Sequence, residues 1–316
     1  MESQTLTASD GHAVHYYRWL PTGAVRATIQ IAHGMGEHAA RYDWAAGRLN
    51  AAGYAVYADD HRGHGRSAEL GFGDLGEDGW NRTIADTRQL RERIAGEYPG
   101  RPHALIGHSM GAMLTQQYLY RHGGDLQAAV ISGSPGFSGM LKLLLSQTIA
   151  RIEAWRLGSE GESELLQKML FGDANKPFDA PGASGFEWLS RDADQVRRYV
   201  EDPACGFVLR AGSLSRLFAG AREARSRRRI AEIPADLPVY VFSGGADPVH
   251  DSEKGLDRLL ARYRKVIRNL EYRLYEGGRH EMLNETNREA VMADLLSWLE
   301  QALFPALSQP EGASPA

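Results

Sequence analysis

Three side chains, far apart in the chain, have the types and order needed for acyl transfer. Ser109 lies in Gly107-His108-Ser109-Met110-Gly111, after the apolar run Ala104 to Ile106 and before an apolar-rich segment. Read alone, this stretch suits either a serine N-cap on a helix or a nucleophile at a sharp strand-to-helix turn. Glycines two before and two after the serine would let the helix and a neighbouring strand pass close by. The N-terminus of the following helix would favour negative charge developing at the site. A serine hydroxyl needs a base, and the base needs a carboxylate to hold its tautomer.

The partners follow in the order serine, acid, histidine. The stretch "LPVYVFSGGADPVHD" reads as a strand, then Gly244-Gly245, then Asp247; "LEYRLYEGGRHEMLNE" reads as a strand, then Gly277-Gly278, then His280. Of the 11 histidines, only His280 follows the last strand, which makes it the expected base. His250 follows the same strand as Asp247, and His122 ends a helix. Asp236 precedes its strand, at the wrong end, and Asp251 is a second choice four residues beyond Asp247. The oxyanion donors are expected to be the backbone N–H of Met110, after the serine, and that of Met35 in His33-Gly34-Met35-Gly36, the loop after an earlier strand. Gly34 and His108 beside these donors, with Met140 and Leu144 further on, are the expected substrate contacts. No metal or organic cofactor is required.

Strands and helices alternate around these residues. Runs at 13–19, 28–32, 55–58, 104–106, 128–132, 239–243 and 270–275 are rich in β-branched, aromatic and small apolar residues and read as strands. Most lack polar alternation, as strands covered on both faces do. Helical patterns at 44–52, 81–98, 110–122, 253–266 and 289–304 lie among them. This alternation specifies an α/β fold with a mainly parallel sheet. It fails between residues 135 and 234, which read as a helical cap inserted over the strand ends. The core is therefore expected at 1–134 and 235–304, with a disordered Pro-, Ala- and Ser-rich tail at 305–316.

Composition narrows the functional classes. With 316 residues, 43% hydrophobic and 24% charged, the chain can bury a large single core. A net charge of −4 gives no basic stripe, so no nucleic-acid partner is expected. The basic run Ala221 to Arg229, "AREARSRRR", reads as a solvated helix face. The lone Cys205 allows no intrachain disulfide and no cysteine-based zinc site, and reads as a packed thiol. No signal peptide is read at the N-terminus, so a cytoplasmic location is expected. Oligomeric state leaves no trace in the sequence.

The chain resembles the monoacylglycerol lipase and lysophospholipase branch of the α/β-hydrolase superfamily. The resemblance rests on "HGMGEHAARY" (33–42), "DHRGHGRS" (60–67), "GHSMGA" (107–112), "GGADPV" (244–249) and "GGRHEMLNE" (277–285), all in the family's order. It implies an eight-stranded sheet with a cap after the sixth strand, Ser109 as nucleophile, His280 as base and Asp247 as orienting acid. Met35 stands where a smaller residue is frequent and is expected to narrow the acyl pocket. Asp60 and Arg62 are expected to brace the site region. The expected substrate is a lipid ester, with transient membrane contact through the cap. The alternatives are a short-chain carboxylesterase, an aminopeptidase holding an amine on cap carboxylates such as Glu187, Asp192 and Asp194, and a catalytically silent binding protein.

Overall fold

The computed structural model describes residues 1–250 and 252–305. Eight strands form one sheet: β1 (Glu2–Thr7), β2 (Ala13–Trp19), β3 (Ala27–Ala32), β4 (Tyr54–Asp59), β5 (His103–His108), β6 (Ala128–Ser132), β7 (Val239–Gly244) and β8 (Leu270–Tyr275). Their order is β1-β2-β4-β3-β5-β6-β7-β8. β2 pairs antiparallel with β1 and β4, and the remaining pairs are parallel. Every residue of β3 to β7 is buried, which explains runs that carry no polar alternation. β1 went unread because its sequence, ESQTLT, is polar and mostly exposed at the sheet edge.

Successive strand residues feed opposite cores. Leu105, Ala129, Ile131 and Val241 pack with α2 (Gly79–Glu97), α3 (Met110–His122) and α9 (Ser252–Tyr263). Ala104, Ile106, Val130 and Phe242 pack with α1 (Asp43–Ala51) and α10 (Arg288–Leu303) on the other face.

Between β6 and β7 lie α4 (Met140–Leu157), α5 (Glu164–Phe171), α6 (Ala193–Glu201), α7 (Ala211–Ala224) and the single turn α8 (Arg227–Ile230). This insertion is not wholly a lid. Leu214, Leu217 and Ala221 of α7 join the core with Trp80 of α2 and Leu114 of α3. At Gly220 the approach is so close that a Cβ would stand 2.0 Å from Trp80 Nε1. Arg225, read as part of a solvated basic face, is instead buried where the insertion returns to the sheet. It donates to the carbonyls of Gly136 (3.0 Å) and Pro135 (2.6 Å), pinning the two ends of the insertion together. Burial holds its pKa down at about 10. Among the described residues no helix is long and apolar enough to cross a membrane. Residues 306–316, which include most of the tail expected to be disordered, lie outside the described residues.

Candidate active site

Ser109 sits between β5 and α3 with φ 53° and ψ −110°, a left-handed backbone that a non-glycine residue adopts only where the surroundings impose it. Its N–H donates to Ser132 O at 2.9 Å. The flanking glycines pay for the turn in space. A Cβ at Gly111 would stand 2.0 Å from Ala32 O, and one at Gly107 2.3 Å from Gly111 O. Ser109 occupies the N-cap position of α3 but makes no side-chain cap hydrogen bond, and its backbone forms the sharp strand-to-helix turn. Met110 opens α3, and its N–H is one of the first-turn amides that a helix leaves unused.

Asp247 and His280 meet at the ends of β7 and β8. His280 Nδ1 donates to Asp247 Oδ2 at 2.9 Å, and both residues are buried. The carboxylate is held on both oxygens: the Val249 N–H donates to Oδ1 (2.9 Å) and Ser243 Oγ to Oδ2 (3.2 Å). The glycine pairs mesh to allow this. Ala246 N donates to Gly278 O at 2.8 Å, and a Cβ at Gly244 would stand 2.2 Å from the same oxygen. Burial pushes the Asp247 pKa up, but the His280 charge and hydrogen bond prevail and hold it below the usual carboxylate value. Burial likewise works to depress His280, and Asp247 reverses the sign, so the imidazole pKa is raised. His250 is occupied elsewhere, 3.1 Å from Gly244 O, and Asp236 pairs with Arg268 at the surface. Asp251 lies outside the described residues.

The loop after β3 closes the third side. A Cβ built on Gly34 would lie 3.3 Å from Ser109 Cβ, so Gly34 and Met35 stand beside the serine. Behind them is a buried ion network that sequence reading missed. Arg41 donates to Glu37 Oε2 (2.6 Å) and forks onto Glu281 Oε1 (2.8 Å) and Oε2 (2.7 Å). Glu37 Oε1 accepts from the Gly34 N–H (2.6 Å) and the Tyr42 hydroxyl (2.9 Å). Burial would raise the Glu281 pKa, but Arg41 holds it down at about 2. The i, i+4 spacing of Glu37 and Arg41 hinted at one pair. Nothing in the sequence pointed to Glu281, 240 residues on.

Ser109, His280, His108, Gly34 and Met35 line a cavity of about 440 Å³. Phe171, Phe186, Trp188 and Phe207 supply its aromatic wall, and Glu37, Glu281 and Tyr199 a polar one. The His108 ring lies 4.8 Å from that of His280, and burial followed by the His280 charge lowers its pKa to about 4. Met140 and Leu144 do not line this cavity. Met140 packs partly buried against the core, and Leu144 is 46% exposed on α4. The insertion between β6 and β7 reaches the serine instead through α5 and the segment around Trp188, whose carbonyl accepts from the His280 N–H at 3.3 Å.

The cap carboxylates considered for an amine are engaged elsewhere. Glu187 accepts from the 184–185 turn and Asn175, Asp192 caps α6, and Asp194 pairs with Arg197. Asp60 accepts from the amides of Ala39 and Arg66, while Arg62 bridges Asp10 and Asp86, the bracing expected of that loop. Among the described residues, His38, Asp202 and Cys205 are close enough to share an ion. His38 Nε2 is already 2.9 Å from Asp202 Oδ2, and burial drives the Cys205 thiol pKa up, which disfavours the thiolate a metal needs.

The family model described as "Serine aminopeptidase, S33" matches residues 23–287. A monoacylglycerol lipase of Mycolicibacterium smegmatis is 30% identical over 92% of this chain and 93% of its own. The human monoglyceride lipase is 28% identical over 94% of this chain and 89% of its own. The crystal structure of a thermostable carboxyl esterase from Bacillus coagulans in complex with glycerol superposes with a TM-score of 0.87 at 26% identity, covering 96% of this chain and 98% of that one.

Proposed function

The chain belongs to the serine aminopeptidase S33 family, in the monoacylglycerol lipase branch of the α/β-hydrolases, and on that premise we propose that it is a cytoplasmic enzyme hydrolysing carboxylic esters of lipids, monoacylglycerols or lysophospholipids, through an acyl-enzyme on Ser109. The observation that carries this reading is the buried Asp247–His280 pair, whose imidazole shares one aromatic-lined cavity with Ser109.

His280, with Nδ1 committed to Asp247, takes the Ser109 proton on Nε2 as Oγ attacks the ester carbonyl. The N–H groups of Met110 and Met35 receive the oxyanion. Imidazolium then protonates the leaving alcohol, and the same ring activates the water that releases the acid. The aromatic wall suits an acyl chain, because each buried methylene contributes about 0.8 kcal/mol. Glu37, Glu281 and Tyr199 suit a hydroxyl-bearing alcohol. Residues 135–234 act as the cap, and α4 is its membrane-facing element: Leu141 (79% exposed), Leu145 and Trp155 (87% exposed) present apolar side chains outward.

The test is a panel of monoacylglycerols, lysophospholipids, short p-nitrophenyl esters and aminoacyl amides on wild type and Ser109→Ala. Lipid esters are expected to be preferred, with turnover and fluorophosphonate labelling abolished in the folded variant. Full activity in Ser109→Ala refutes the mechanism; preference for acetyl esters or amides refutes the substrate class.

A further inference from the structure

We propose that His33 and Glu37 are positioning residues that together aim the Met35 N–H at the Ser109 site. The inference rests on Ser109 being the nucleophile and Met35 an oxyanion donor.

The loop leaves β3 at Ala32, and beyond that strand its backbone is held by individual hydrogen bonds, such as that from the Gly206 N–H to Gly36 O at 2.9 Å. A donor on such a loop is worth little unless its peptide plane is fixed beforehand. Both peptide groups of Gly34 are fixed by buried side chains. Its N–H donates to Glu37 Oε1 at 2.6 Å, and its carbonyl lies 2.7 Å from His33 Nδ1. The backbone N–H of His61 donates to His33 Nε2 at 3.0 Å. Nε2 is therefore an acceptor, so the neutral ring carries its proton on Nδ1 and donates it to Gly34 O. The ring cannot turn away: it stacks on His61 at 4.1 Å and meets the edge of His64 at 5.0 Å. Burial drives its pKa well below the usual histidine value, which keeps the ring neutral.

The Gly34 carbonyl and the Met35 N–H belong to one trans peptide, so they point in opposite directions. With the carbonyl turned to the fully buried His33 ring, the Met35 N–H is turned the other way, toward the cavity shared by Gly34, Met35 and Ser109. Glu37 is itself held by Tyr42 and by Arg41, which also grips Glu281, the residue after His280. One network thus references the oxyanion loop to the loop of the base.

The experiment uses the full chain with His33→Leu, His33→Gln and His33→Asn, and reads kcat and KM on p-nitrophenyl butyrate, affinity for a phenylboronic acid and melting temperature. Asparagine places an amide N–H near the Nδ1 position, whereas glutamine reaches the Nε2 position. Leu and Gln are expected to lose about 10²-fold in kcat, approaching the loss of one oxyanion donor, with KM nearly unchanged. Boronate affinity should fall in parallel with kcat, because the adduct also places an oxygen in the donor site. Asn should recover most of both. Equal losses in Asn and Gln, losses that track melting temperature alone, or a full kcat in Gln overturn the inference. If the His33 variants do not fold, Glu37→Leu is read in the same way, and an unchanged kcat there overturns it. Turnover that persists in Ser109→Ala would refute the underlying serine mechanism instead, so the two failures are distinguishable.

Discussion

Asp247→Asn tests the assignment of the acid more sharply than deletion, because the neighbours decide how the new amide sits. Asp247 Oδ1 accepts the Val249 backbone N–H at 2.9 Å, a donor that cannot reverse its role. The amide oxygen of asparagine must take that position, which puts its NH2 where Oδ2 now faces His280 Nδ1 at 2.9 Å. Ser243 does not oppose this, since its hydroxyl can rotate from donating to accepting. His280 then has to accept at Nδ1, so its proton moves to Nε2, the nitrogen that should receive the Ser109 proton. The ring is present and packed but in the wrong tautomer. The same substitution in serine proteases lowers kcat about 10⁴-fold, which corresponds to about 5.4 kcal/mol of transition-state stabilisation. The pH dependence supplies a second readout. The base works when neutral, so kcat/KM rises with pH through the His280 pKa, which Asp247 raises above its ordinary value. Removing the carboxylate should move that acid limb to lower pH while depressing the plateau. The assay is steady-state ester hydrolysis from pH 5 to 9, with melting temperature as the control for folding. A variant that keeps a tenth of wild-type kcat, or an acid limb that does not move, refutes the reasoning. Asp251→Asn producing the loss in its place would transfer the role.

Arg225→Met leaves the Gly136 and Pro135 carbonyls buried without their donor, at about 1–3 kcal/mol each, and should lower the denaturation midpoint in urea. Arg41→Met leaves Glu37 and Glu281 facing each other uncompensated, and a loss of about 3–5 kcal/mol in stability is expected. The Glu281 pKa is depressed, so its contribution is present above the ordinary glutamate value and is lost as pH falls toward about 2; acid titration of wild type should show that loss, and Arg41→Met should not. Leu141→Glu with Trp155→Ala removes exposed apolar groups outside the cavity. Activity on monoacylglycerol in vesicles should fall while hydrolysis of a water-soluble ester stays level.

What could be read from the sequence was local chemistry in a fixed chain order. Ser109, Asp247 and His280 each follow a strand end, and the glycines beside them mark places where two backbones touch, as Gly244 and Gly278 do. The strands were legible because burial on both faces removes polar residues from them. β1 was not, because an exposed edge strand keeps polar residues and is specified by pairing to β2. The failures inside the site share one cause. Glu281, Arg41 and the aromatic wall come together only through tertiary packing across long separations, and no period records that. Met140 and Leu144 carried the chemistry of an acyl pocket, yet α4 packs on α7 and leaves Leu144 in solvent. Apolar residues on a cap helix have three sinks, the core, the cavity and the surface, and the helical period alone does not choose among them. Arg225 is the inverse case, since a basic run suggested solvent and one of its members was needed to satisfy two buried carbonyls. Sequence therefore specified the proposed reacting groups better than the groups that hold and enclose them, because a nucleophile, base or acid needs a particular side chain at a strand end, whereas a wall or a brace can be supplied from anywhere in the chain.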